Sequence, residues 1–240
     1  MLFAALLTSV SFGCSSKAPL TPAEQHAAEE ATAEWLRKTH GVVNDGAVQT
    51  YVNHLARQLS STPPAVKLMH QHSGCPSCNA EGTVRIEVLA ADEANAFWVG
   101  SSRLFITKGL ILDLHSESEF AAVLAHELAH HWLGHLEQSW EYAAAEADSG
   151  APHVAFSLAQ ELSADETSLE MLDAAGYDPR GALGAMLLAY RPDERERVVS
   201  DPDWRTERVA ALVRLLENCY RNVPGVLNQR DFAQAQARLM

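Results

Sequence analysis

Basic residues are scarce in this sequence: 18 Lys and Arg stand against 31 Asp and Glu, for a formal charge of -13. A surface of that sign repels phosphate backbones, which argues against nucleic acid as a partner. No internal repeat or low-complexity tract is present, so solenoid and fibrous architectures are set aside. The opening apolar run, MLFAALLTSVSFG, is too short to span a bilayer. Cysteine is sparse, at four residues, too few for a disulfide-built scaffold of this length. What remains is a chain of 240 residues, 47% hydrophobic, able to bury one substantial core.

Residues 1–13 read as a secretory signal, followed by Cys14, Ser15, Ser16 and a polar stretch with Lys17 and Pro19. Gly13 before Cys14 resembles the processing site of bacterial lipoproteins, which makes Cys14 the expected lipidated residue. A plain cleaved signal or an ordinary N-terminal helix are the alternatives. The expected organisation is a signal at 1–13, a tether at 14–20 and one domain over 21–240. Cys75 and Cys78 then close a small disulfide in an oxidising compartment, form a zinc clip with His70 and His72, or stay free.

Thr21, Pro22 and Glu24 carry the marks of a helix start, with a stop expected at Gly41. A second helix follows from Asp45, with Val48, Tyr51, Val52, Leu55 and Leu59 on one face. Alternation at Val84, Ile86 and Val88, the run RLFIT at 103–107 and AVKLMH at 65–70 predict a sheet of about three strands. Ser116 and Glu119 open a long helix, another ends near Gly176, and two more are expected from about Asp203 and Asn228. The expected class is α+β, mainly helical with a small sheet.

The long helix carries His126, Glu127 and His130 in the order H-E-x-x-H. Residues four apart differ by about 40° around a helix, so both imidazoles reach one ion while Glu127 reaches its water. Zinc between neutral ligands lowers the pKa of that water towards about 7, and the carboxylate takes the proton: the chemistry of amide hydrolysis. Solvated histidines on a surface helix would be the alternative, but Val123, Leu124, Ala125, Leu128 and Ala129 frame the motif as buried, where charge needs a partner.

A third ligand is required. The metzincin arrangement would need Gly and His where Leu133 and Leu136 stand, and His135 projects away from His126 on an ideal helix. On the next helix Leu158, Glu161, Asp165, Leu169 and Leu172 share one stripe, and two carboxylates in an apolar stripe need an explanation. Glu161 as ligand and Asp165 as acceptor for a ligand histidine supply it. A capping or salt-bridging role for the pair is the alternative. His131 and His135 are expected to be surface or packing residues.

HELAHHWLGH followed by ELSAD resembles the zinc site of the metallopeptidase family that includes HtpX and the CAAX prenyl protease. NAFWVGSSRLFITKGL at 95–110 is similar to that family's element before the metal helix, with Asn95 and Gly100 matching its motif, and GYDP follows the second helix as in the family. The resemblance spans about residues 45–215. It implies a zinc endopeptidase of the soluble, lipid-tethered branch, with one Zn2+ on His126, His130 and Glu161, Glu127 as base, and Arg208 helping to hold the tetrahedral intermediate. It further implies an edge strand that presents unfolded polypeptides, and a lipid-anchored, periplasm-facing place in the bacterial envelope, with the outer membrane favoured. The rival from another class is a metal-binding periplasmic chaperone or assembly factor with little proteolytic activity.

Overall fold

The computed structural model describes residues 21–71, 84–100, 103–136, 156–189, 202–227 and 230–240. The chain is mainly helical around one three-stranded sheet, the α+β class expected.

Helix α1 spans Pro22–His40. The Thr21 hydroxyl accepts from the Glu24 N–H, and the Glu24 carboxylate accepts from the Thr21 N–H, so two orphan donors of the first turn are satisfied reciprocally. In α2, Gly46–Ser60, the Asp45 carboxylate caps Ala47 and Val48. Helix α3, Pro63–Gln71, corrects an expectation: the segment 65–70 is helical, not a strand. Pro63 and Pro64 fit a first helical turn, and Ala65, Leu68 and Met69 recur at helical spacing toward the core.

The sheet is formed by β1 (Arg85–Leu89), β2 (Ala96–Val99) and β3 (Arg103–Thr107) in the order β1-β3-β2. β1 runs parallel to β3, and β2 antiparallel, pairing Trp98 with Leu104 and Phe97 with Phe105. β2 is the strand that alternation could not find, because all four of its residues are buried. Its two faces meet different layers. Phe97, Val99, Phe105 and Leu89 pack with Ala33 and Leu36 of α1, while Ala96, Trp98, Leu104, Ile106, Ile86 and Val88 join the main core. Trp98 therefore faces the inner helices.

Helix α4 (Lys108–Asp113) turns the chain into α5 (Glu117–Trp132), whose Ser116 hydroxyl caps Glu119. α5 is buried over nearly its whole circumference and packs against α2, α6 (Leu158–Ala175) and α7 (Gly181–Ala189). Helices α8 (Pro202–Cys219) and α9 (Arg230–Leu239) complete the described chain, as expected from about Asp203 and Asn228. Among the described residues no helix is long and apolar enough to cross a membrane. The signal and tether at 1–20, Cys14, and His72, Cys75 and Cys78 of the expected disulfide or clip lie outside the described residues.

Candidate metal centre

His126 and His130 lie one turn apart on α5, and α6 is laid alongside so that its buried stripe meets them. The Nε2 atoms of the two histidines approach to 3.1 Å. Glu161 Oε2 stands 3.4 Å from His126 Nε2 and 3.8 Å from His130 Nε2. A tetrahedral ion with donors at about 2.0–2.2 Å requires donor–donor edges of about 3.3–3.6 Å. The three edges, 3.1, 3.4 and 3.8 Å, bracket that range, so the atoms outline one face of a site close to the size zinc needs, and they are the cluster of metal-binding side chains found among the described residues. Glu161 Oε2 is buried and has charged neighbours but no well-directed hydrogen bond, the condition of an oxygen suited to an ion.

The far nitrogens of both rings are engaged, and this fixes which nitrogen faces the cluster. His126 Nδ1 lies 3.0 Å from Asp165 Oδ1, so it carries the proton and Nε2 offers its lone pair. His130 is settled by a longer chain. The Ser163 hydroxyl donates to the Gln160 carbonyl at 2.9 Å, so its oxygen accepts from His135 Nε2 at 3.4 Å. His135 Nδ1 is then an acceptor, and His130 Nδ1, 3.1 Å away, is the donor. Network logic leaves both Nε2 lone pairs directed at one point. Phe156 stacks on the His130 ring at 3.9 Å and restrains it from the other side.

Of the surface and packing roles expected for His135, burial excludes the surface one, and its ring contact with the ligand candidate His130 goes beyond packing. The ideal-helix projection failed because α5 ends at Trp132 and Gly134 takes φ 71, a left-handed turn that returns the chain towards the cluster. His131 is likewise buried, stacked on Trp98 at 5.1 Å.

Charge explains the stripe on α6. Burial alone would raise the Glu161 carboxylate, but contacts with His126, His130 and Arg208 hold it well below the usual carboxylate range. Asp165 is lowered in the same way, against burial, by His126 and Arg208. At His126 burial opposes the charge, yet the two carboxylates push it up to about 10; a pocket that favours a proton so strongly favours a cation. His130 is pushed down to about 4, chiefly by burial, and is neutral as a metal ligand must be. Burial pushes Glu127 up to about 7, opposed by His126 and the Trp98 indole.

Arg208 of α8 donates from Nε and Nη2 to Asp165 at 2.9 and 2.7 Å, and its Nη1 lies 2.6 Å from Glu161 Oε2. Its fork is directed at carboxylates of α6. Asn95 and Gly100 stand apart from the cluster, at the two ends of β2. The Asn95 N–H donates to Thr107 Oγ1 and its carbonyl accepts the Thr107 N–H, which clips β2 to β3. Gly100 has φ 61, the left-handed region that favours glycine, and a Cβ there would have to displace the Glu29 carboxyl of α1. Sequence reasoning missed Trp98, His135 and Phe156, whose contacts obey no spacing rule within one element.

Residues 46–150 match peptidase family M48. That stretch contains β2, His126, Glu127 and His130; Glu161, Asp165 and Arg208 lie beyond it. A Vibrio cholerae serotype O1 protein named a beta-barrel assembly-enhancing protease is 26% identical over 167 residues, covering 70% of this chain and 31% of that protein. The chain thus spans about a third of that relative's length. The resemblance carried by HELAHHWLGH is borne out at the level of the M48 metallopeptidase family; ELSAD lies beyond the matched stretch.

Proposed function

We propose that this chain is a zinc endopeptidase that cleaves unfolded or misassembled polypeptides of the bacterial envelope. The observation that carries the reading is the triangle of His126 Nε2, His130 Nε2 and Glu161 Oε2, with Glu127 next to His126 on the same buried helix. Zinc bound there supplies a Lewis acid that acidifies water and polarises a peptide carbonyl. Glu127, the residue with the proton-transfer role, receives the proton of the attacking water and returns it to the leaving nitrogen. Its carboxyl is pushed up to about 7 by burial, suited to both halves of that transfer. Asp165 and Arg208 keep the ligand carboxylate and His126 oriented, and in the family's pattern Arg208 also supports the developing oxyanion.

β2 is an edge strand, and no strand pairs with its outer side among the described residues. An extended peptide adding there by main-chain hydrogen bonds would lie beside α5, a mode that tolerates many sequences. The envelope assignment is supported by the name of the Vibrio cholerae relative and by the signal-like start of this chain. In this reading Cys14 carries the lipid; Cys14→Ser should move the protein from the membrane to the soluble fraction with unchanged specific activity, and continued membrane fractionation would refute it.

The central test is Glu127→Gln assayed on casein. The amide keeps the shape and removes the base, so zinc content should stay whole while turnover falls on the order of a hundredfold or more. Undiminished hydrolysis would refute the role of Glu127. Wild-type protein that binds zinc yet leaves casein intact, with and without chelator, would favour a chaperone or assembly factor.

A further inference from the structure

Trp98 stands at an open position of the segment that resembles the family's edge-strand motif, third of the four residues in β2. It is buried, at 4% exposure, and its side chain lies on the face of the sheet turned to α5. The indole Nε1 donates to Glu127 Oε2 at 2.8 Å. The ring plane stacks on His131, centroid to centroid 5.1 Å with 27° between planes. An indole N–H only donates, and when buried it must find an acceptor. Many carbonyls would serve a packing residue equally well. Here the acceptor is the carboxylate that the proposed chemistry uses.

We propose that Trp98 is a positioning residue for Glu127, holding one carboxylate oxygen so that Oε1 is the oxygen presented for proton transfer. The inference rests on the reading of Glu127 as the base. The terminal torsion of a glutamate is soft, with a broad two-fold profile, so an unrestrained carboxylate samples many orientations. A single rigid donor removes that freedom. The donor is restrained by its surroundings: His131 stacks on the indole face, Leu104 is its partner across the strand pair, and β2 is clipped to β3 at Asn95. A second consequence follows from where Trp98 sits. The strand that would align the peptide also holds the base, so scissile carbonyl and proton acceptor share one frame although Trp98 and Glu127 are 29 residues apart in sequence.

The test is to replace the Trp98 indole by benzothiophene, an isostere without the N–H, in the full-length zinc-loaded chain, and to measure hydrolysis of fluorescein-labelled casein. Losing a hydrogen bond to a charged group should lower kcat by about tenfold or more. KM and zinc content should remain at wild-type values, while the melting temperature falls by a few degrees, as for any lost hydrogen bond to a buried carboxylate. Trp98→Phe, which keeps a ring against His131, should show the same fall in kcat, and it carries the test if the isostere folds poorly. Unchanged kcat in the isostere, or a loss confined to KM, zinc content or melting temperature, would overturn the proposal and return Trp98 to a packing role. Glu127→Gln is measured beside it. If that variant retains turnover, the assignment of the base and this inference both fall; if it is inactive while the isostere works at full rate, only the role of Trp98 falls.

Discussion

Helix α5 carries two buried acidic sites about 15 Å apart along its axis, and they are built differently. At its start Glu117, 2% exposed, accepts a hydrogen bond from the Tyr177 hydroxyl at 3.1 Å. Its charge also acts on Tyr51, and both phenols are pushed far up, first by burial and then by Glu117. Glu117 lies in the first helical turn, where the macrodipole favours an anion. At the other end Glu127 and the α6 carboxylates meet imidazoles and a guanidinium. A phenol gives a buried carboxylate one proton to share and nothing that binds a metal. Two imidazoles with their far nitrogens occupied give lone pairs converging on one point. Burial of acid marks both sites; only the arrangement of nitrogen lone pairs separates the structural site from the chemical one.

The comparison breaks most completely at Glu161. If it closes the coordination sphere, Glu161→Ala should abolish both tight zinc binding and casein hydrolysis. Glu166 is exposed on the same helix, about 140° away around the axis, and Glu166→Ala should be nearly silent. Zinc titration of the two variants decides it: wild-type affinity in Glu161→Ala would mean that the third ligand lies elsewhere.

The readable parts of this molecule are those confined to one element. His126, Glu127 and His130 are set by a helical repeat, as are Glu161 and Asp165, and the capping pairs Thr21–Glu24 and Ser116–Glu119 are three residues apart. The number of strands was legible but not their membership. AVKLMH looked extended although two prolines start it as a helix, and AFWV showed no alternation because both faces of the sheet are covered. His135 was misjudged because one glycine ends the helix on which it was projected. The Trp98–Glu127 bond and the Arg208 clamp span 29 and 43 residues, and only the packing of β2 and α8 brings them into being.

Smaller effects should sharpen the contrast at the far nitrogens. Asp165→Asn and His135→Ala each remove a partner that orients a ligand imidazole, without touching the converging atoms. Such changes cost roughly 10- to 100-fold in metal affinity or activity. Asp165→Asn should sit at the upper end, because Arg208 also loses a charged partner. His135→Ala should sit at the lower end, since Phe156 still restrains the His130 ring. Zinc competition against a chromogenic chelator measures both; affinities equal to wild type would show that the relay through Ser163 and His135 does no orienting.

The smallest effect on zinc and on hydrolysis is expected at the other acidic site, and it is the control that gives the contrast meaning. Tyr177→Phe removes the hydroxyl that donates to Glu117 while keeping the ring in its buried place, at 1% exposure. Loss of a hydrogen bond to a buried charged acceptor costs about 1.5–3 kcal/mol. For a chain of this size that lowers the melting temperature by roughly 3–12 °C. Zinc affinity and casein turnover, measured well below the transition, should stay at wild-type values, because nothing at Glu117 converges on an ion. A fall in zinc affinity with an unchanged melting temperature would mean that the two ends of α5 are coupled, and the division between a structural and a chemical carboxylate would have to be abandoned.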